Sequence, residues 1–151
     1  AHFKTHVLVK FQTIIIKNYT LYCELKFKPV KKFTKCGLML SKDYPMIAES
    51  PDGICEASII EIKCPVSVKT FKNYIQNGKP TQQYYVQMQL QMYLTGLQNG
   101  YFCVAHSNYS VSKNVDIISV TFDDKYVSEF IQVLVPSLKN NVYPLLYQGV
   151  V

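Results

Sequence analysis

Apolar and charged residues alternate along residues 60–64, which read Ile-Glu-Ile-Lys-Cys. Because successive side chains of a strand point to opposite faces, this pattern predicts a strand over residues 59–64 in which Glu61 and Lys63 share one face. Pro65 ends the segment, since proline cannot extend a paired ladder. The alternation alone is also typical of an ordinary strand with one solvated face, so it does not identify a site.

Further elements are predicted on both sides of this strand. Residues 31–40, 46–49, 101–105 and 116–122 are predicted as strands, with turns at residues 41–45 and 50–53. After a loop around residues 76–80, Thr81 is the predicted N-cap of a helix over about residues 82–94, which stops near Gly96. The mixed order predicts an α/β or α+β layered domain.

A terminal amphipathic helix is predicted to begin at Asp123 or Asp124. Proline at position 136 lies in its path, and periodicity does not distinguish helix from strand between residues 7 and 27. The residues spaced for the buried face of the terminal helix are Tyr126, Phe130, Val133 and Leu134.

The composition limits the classes of protein to which the chain can belong. With 151 residues and 48% hydrophobic content, a single domain spanning residues 1–151 is expected. A net charge of +6 favours a polyanionic partner without identifying one. The five cysteines form no CxxC pair, which argues against a disulfide framework or a zinc site and favours an intracellular setting. No apolar run is long enough to cross a membrane.

A second carboxylate is expected beside Glu61. Asp52 follows a proline in a turn, and Gly53 lets the backbone reverse, so a hairpin-like return would place the two acids together. Two adjacent carboxylates are electrostatically costly unless a divalent cation joins them. Phosphodiester hydrolysis needs oxygen ligands for Mg²⁺, a positioned water and a nearby cation, so these acids and Lys63 fit that chemistry.

Three motifs occur in order: Ser-Pro-Asp-Gly at 50–53, Glu-Ile-Lys-Cys-Pro at 61–65, and YYVQMQLQMYLTG at 84–96. With them the chain resembles the YqaJ viral recombinase and phage lambda exonuclease family of PD-(D/E)xK nucleases. The resemblance implies a restriction-endonuclease-like core, in which helices flank a central mixed β-sheet. It also implies a deoxyribonuclease dependent on Mg²⁺ or Mn²⁺, acting as an exonuclease on double-stranded DNA ends in viral, phage or mobile-element recombination.

The same resemblance implies roles for individual residues. Asp52 and Glu61 would bind the metal with the carbonyl of Ile62, Lys63 would orient or deprotonate the attacking water, and Gln87 would support the site from the helix. The implied partners are double-stranded DNA, two further copies of the chain in a trimer, and a single-strand annealing protein, with no membrane. The residues expected to contact DNA are Ser50, Tyr84, Gln91 and Lys79.

The N-terminal segment departs from this pattern. Members of the family carry a further Glu on an N-terminal helix, yet neither the Gly nor the Glu of that motif occurs near Asn18, and Glu24 is the only acid before Asp43. We therefore expect residues 1–30 to be truncated or degenerate. Two alternatives stay open: a catalytically inactive DNA-binding remnant, and an endonuclease of the same superfamily. Glu49 and Glu56 are predicted to be surface residues, since turns are solvated.

Overall fold

The computed structural model describes residues 33–144, so the expectations for residues 1–30 lie outside the described residues. In this part of the chain, a central mixed sheet is flanked by helices, which confirms the predicted fold class. The strands are β1 (Phe33–Thr34), β2 (Met39–Leu40), β3 (Ala48–Glu49), β4 (Gly53–Cys55), β5 (Ser58–Lys63), β6 (Ile75–Gln76), β7 (Lys79–Pro80), β8 (Asn99–Ala105) and β9 (Val115–Thr121). The helices are α1 (Val68–Phe71), α2 (Gln82–Thr95), α3 (Tyr109–Ser112) and α4 (Asp124–Ser137), and a π-helical turn (Leu138–Val142) follows α4.

The five-stranded sheet has the order β1-β4-β5-β8-β9. Strand β5 pairs antiparallel with β4 and parallel with β8, so it lies in the middle of the sheet with a neighbour on each side. The parallel pairing needs a crossover, and the chain between β5 and β8 provides it through α1, the β6–β7 hairpin and α2. The central position of β5 is what brings its side chains under a helix.

The two faces of β5 pack against different parts of the protein. Ile60 and Ile62 are fully buried on one face, in a cluster that includes Tyr109 of α3. Ile59 is buried on the other face against Met88 of α2. Since side chains alternate along a strand, Glu61 and Lys63 share the face of Ile59 and lie towards α2. The alternation in the sequence therefore marks a strand buried on both faces.

Helix α2 begins and ends close to the predicted bounds. Gly96 ends it with a left-handed backbone conformation (φ 69°), which glycine adopts without the steric cost of a Cβ. Thr81 is the N-cap residue, but its hydroxyl donates to the carbonyl of Asn73, 2.9 Å away, and makes no capping hydrogen bond. The helix start is thus tied to the preceding crossover segment.

Several sequence predictions need correction. The predicted strand over residues 31–40 is two short strands within the described residues, β1 and β2, and the predicted loop at 76–80 forms most of the β6–β7 hairpin. In α4, Asp123 is the N-cap, and its side chain accepts from the backbone N–H of Tyr126. Val133 is 72% exposed rather than buried, because the helix turns Val127, Ile131 and Val135 towards the core. None of the helices within residues 33–144 is long and apolar enough to span a membrane.

Gly100 on β8 leaves no room for a larger side chain beneath α2. A Cβ there would lie 2.6 Å from Cε of Met88 and 2.7 Å from Cγ1 of Ile59. Gly100→Ala should therefore destabilise the protein by about 1–3 kcal/mol, because Ile59 is fully buried and has little room to move. Urea unfolding measures the change.

Gly37→Ala is the matched control, since no atom lies within 4 Å of a Cβ at that position. This variant should change the free energy of unfolding by less than about 0.5 kcal/mol. Equal stabilities for the two variants would contradict tight packing of Gly100 against Met88 and Ile59.

Candidate active site

Glu61 is buried between β5 and α2, with 4% of its surface exposed. Its Oε2 accepts a hydrogen bond of 2.8 Å from Nε2 of Gln91, and its Oε1 accepts one of 3.2 Å from Nε2 of Gln87. The two glutamines are four residues apart on α2, so they lie on the same helix face. This face covers Glu61, which rules out a solvated strand face as the explanation of the motif.

Lys63 lies beside Glu61 on the same face of β5. Its Nζ is 2.5 Å from Oε1 of Glu61, and only 19% of its side chain is exposed. The ammonium also lies 5.1 Å from the centroid of the Tyr84 ring, within the range of a cation–π contact. Tyr84 stacks in turn between Tyr74 and Phe102. The lysine is therefore held in place on two sides.

Asp52 reaches the site through the register of the β4–β5 hairpin. Gly53 pairs with Ile60, so the residue before Gly53 lies opposite Glu61. Oδ2 of Asp52 accepts a hydrogen bond of 2.7 Å from the backbone N–H of Ile62. A Cβ at Gly53 would overlap the ring of Phe33, which explains why glycine follows the aspartate. The expected meeting of Asp52 with Glu61 is thus reproduced in the structure.

Burial and the crowding of carboxylates both shape the electrostatics of the site. Burial and then the charge of Glu61 raise the pKa of Asp52 from 3.8 to about 6, despite the opposing effect of Lys63. Burial and then Asp52 raise the pKa of the Cys64 thiol to about 11. A thiol with so high a pKa stays protonated at neutral pH, which argues against Cys64 as a nucleophile.

Glu49 is a third acid at this site, and the sequence prediction of a surface residue was wrong. Its carboxylate is half-buried and lies close enough to Glu61, the Gln87 side chain and the Ser50 backbone for each of them to shift its pKa. Burial and then Glu61 raise its pKa. The signal available in the sequence was its place at the end of a strand beside the Ser-Pro-Asp-Gly turn.

The residues fit a divalent cation such as Mg²⁺. Carboxylate oxygens are the ligands this ion prefers, and the raised pKa of Asp52 shows repulsion that a cation would relieve. Within residues 33–144, no three His, Cys, Asp or Glu side chains form a group that could enclose a metal by themselves. This does not oppose the fit, because Mg²⁺ commonly binds one or two carboxylates and keeps several waters.

The residues expected to contact DNA occupy different surroundings. Ser50 and Lys79 are exposed, and Tyr84 is half-buried beside Lys63. Gln91 is fully buried and donates to Glu61, so its position favours a supporting role in the site over a contact with DNA. Its Oε1 is a buried side-chain atom without a hydrogen-bond partner in the described part of the protein. Direct DNA contacts stay a prediction for all four residues.

Known proteins share both the sequence pattern and the fold. The family model of the YqaJ-like viral recombinase domain matches residues 10–98, which is more than half of the chain. No curated protein sequence matches the chain significantly. The structure is similar to that of LHK-Exo in complex with dAMP, at a TM-score of 0.77 and 24% identity, over 95% of this chain and 70% of that one. It is also similar to an alkaline exonuclease (LHK-Exo) from Laribacter hongkongensis, at a TM-score of 0.66 and 24% identity, over 89% of this chain and 71% of that one.

Asp52 should make the stability of the metal-free protein depend on pH. Its pKa in the folded protein, about 6, lies above its ordinary value of 3.8, so the folded state binds more protons than the unfolded state between these values. Stability therefore falls as the pH rises through this window. Asp52→Asn, which keeps an acceptor for Ile62, should add about 2–3 kcal/mol at neutral pH, when unfolding by urea is measured in EDTA.

Asp43→Asn is the control for this change, because Asp43 is an exposed acid in a turn. It should leave the free energy of unfolding at neutral pH nearly unaltered. Lower stability of Asp52→Asn at neutral pH would contradict the electrostatic account of the site.

Proposed function

Since the chain belongs to the family of YqaJ-like viral recombinase domains, we propose that it is a Mg²⁺-dependent deoxyribonuclease. We propose further that it degrades double-stranded DNA from an end during recombination. The observation that carries this proposal is the buried cluster in which Glu61 contacts Lys63 and lies opposite Asp52. Oxygen ligands for Mg²⁺ and a nearby cation are two of the components that phosphodiester hydrolysis requires, and this cluster has both.

Each residue of the cluster has a part in the proposed reaction. Asp52 and Glu61 would hold Mg²⁺, assisted by the carbonyl of Ile62, and the ion when bound would lower the pKa of water and offset charge on the phosphate. Lys63 would lie beside the attacking water, where its ammonium stabilises the negative charge that builds up in the transition state. Gln87 and Gln91 keep Glu61 in one orientation through their hydrogen bonds.

Support for a nucleic-acid substrate comes from the crossover segment. No Asp or Glu occurs between Glu61 and Asp116, and the lysines of this stretch include Lys69, Lys72 and Lys79. All three are exposed: Lys69 lies on α1, Lys72 is the C-cap of α1, and Lys79 lies on β7. Tyr74, between these two elements, stacks on Tyr84 with ring centroids 5.0 Å apart, so the basic segment adjoins the site. Without acids to repel it, a phosphate backbone would be attracted here.

Degradation of end-labelled linear duplex DNA tests the activity. Loss of substrate should require Mg²⁺ and stop in EDTA, and Lys63→Ala should lower the rate by about 10²–10³-fold, the typical effect of removing one group that stabilises the transition state. Lys125→Ala, at an exposed position on α4, is the matched control and should be as active as the parent protein.

Two outcomes would change the assignment. Cleavage of closed circular DNA at the same rate as linear DNA would identify an endonuclease, because an exonuclease needs an end. A folded protein that binds duplex DNA and shows no Mg²⁺-dependent cleavage would be the inactive DNA-binding remnant.

Lys69 and Lys72 should contribute to DNA affinity without altering the chemistry. The double variant Lys69→Ala/Lys72→Ala should weaken duplex binding in Ca²⁺ and lower the salt slope, d log K/d log [salt], by about 2, since each phosphate contact contributes about 0.9. Titration of a fluorescent duplex at several salt concentrations gives this slope.

The control pair is Lys125→Ala/Lys139→Ala, which removes the same charge from exposed positions on α4 and the π-helical turn. If both pairs reduce the salt slope equally, the contribution is one of net charge, and α1 is not the DNA contact.

A further inference from the structure

Glu49 lies near the site but on a different part of the fold from β5, the strand that carries Glu61 and Lys63. It ends β3, which pairs antiparallel with β2 through the register of Met39 with Glu49. This hairpin is separate from the five-stranded sheet and packs against α2. The Glu49 carboxylate therefore comes from a different element than β5, and it is half-buried.

Gln87 connects the two acids. Its Nε2 donates to Oε1 of Glu61 at 3.2 Å, and the same side chain lies close enough to the carboxylate of Glu49 to lower its pKa. A side-chain amide carries two N–H groups, so one glutamine has the donors to serve both acids. Gln87 is therefore the side chain that the two carboxylates have in common.

The charges around this amide are not balanced within the described residues. The negative charge of Glu61 raises the pKa of both Glu49 and Asp52. Lys63 is the cation that lowers the pKa of both. Half-buried acids are rarely kept close together without compensation, because the low dielectric strengthens their repulsion. A further positive charge at this place would compensate it.

An independent observation points to the same place. Oε1 of Gln91 is buried without a hydrogen-bond partner, while Nε2 of the same amide donates to Oε2 of Glu61. A buried amide oxygen without a donor is unfavourable, so the protein groups within the described residues do not by themselves satisfy this polar cluster. The unsatisfied oxygen belongs to a side chain that is itself in contact with the carboxylate at the centre of the cluster.

We propose that Glu49 is the third carboxylate of the cation site and that it acts on water molecules bound to Mg²⁺ rather than on the ion itself. This inference rests on the proposed function. An indirect contact agrees with the lack of a closed group of three ligands within residues 33–144. It also agrees with the tendency of Mg²⁺ to keep part of its hydration shell.

Binding of Mg²⁺ without DNA tests the role of Glu49 independently of turnover. Calorimetric titration with Mg²⁺, and the rise of the melting temperature with Mg²⁺ concentration, are measured for the parent chain, Glu49→Gln and Glu49→Asp. Glu49→Gln should weaken binding about 10–100-fold, the usual effect of removing an outer-shell partner of a metal. Glu49→Asp keeps the charge and should recover part of the affinity.

The metal-free stability separates this role from a structural one. If Glu49 only supported the fold, Glu49→Gln would lower the melting temperature in EDTA. Since it removes one charge from a crowded cluster, we expect that melting temperature to stay unchanged or rise. The matched control is Glu129→Gln, an exposed acid on α4, which should change neither Mg²⁺ affinity nor stability.

The outcomes distinguish this inference from the proposed function. Parent-like Mg²⁺ affinity in Glu49→Gln would overturn the role of Glu49 and leave the nuclease proposal intact. A parent protein that shows no Mg²⁺ binding would overturn both. Weaker binding in Glu49→Gln, with partial recovery in Glu49→Asp and no loss of metal-free stability, would support the inference.

Discussion

The burial of the Glu61 carboxylate beneath α2 is the interaction on which the arrangement of this protein depends. Moving an ionised carboxylate out of water costs several kcal/mol unless hydrogen bonds and an opposite charge compensate it. Glu61 receives one ion pair and two amide hydrogen bonds, from Lys63, Gln87 and Gln91. These contacts require β5 to lie at the centre of the sheet and α2 to turn its glutamines towards β5. The site therefore limits how these two elements can be arranged.

The rotation of α2 about its axis is fixed from both sides. Gln89, the second glutamine of the motif, is 1% exposed and lies away from Glu61. Its Nε2 donates to the carbonyl of Thr121 at 2.8 Å, and its Oε1 accepts from the backbone N–H of Asp123 at 2.8 Å. These bonds attach the helix to the end of β9 and to the N-cap of α4. A rotation of α2 that freed Glu61 would therefore also break the junction between β9 and α4.

The parts of the site that could be predicted from the sequence are those set by local geometry. Asp52 and Glu61 lie opposite each other because a short turn fixes the register of β4 on β5. The shared face of Gln87 and Gln91 follows from helical spacing alone. In both cases the relevant distance along the chain is spanned by one regular element or one hairpin, so sequence spacing translates directly into position.

The parts that could not be predicted depend on tertiary packing. Glu49 lies on a strand of two residues, which has too little periodicity to show which side faces the protein. Whether Gln91 faces DNA or the interior depends on β5 lying beneath α2, and spacing within the helix does not reveal this. Val133 was assigned to the buried face of α4, but the contacts of that helix with α2 select a neighbouring stripe of side chains.

Repulsion between neighbouring carboxylates lowers the free energy of unfolding that the rest of the core provides. The raised pKa of Asp52 is a direct sign of this opposition, since the charged form is less favourable in the folded protein than in water. The fully buried isoleucines of β5 offset it, because they anchor the strand through both of its faces. Neutral side chains of similar size would fold with less repulsion, and the Mg²⁺ of the proposed function would offset the repulsion that this cluster retains.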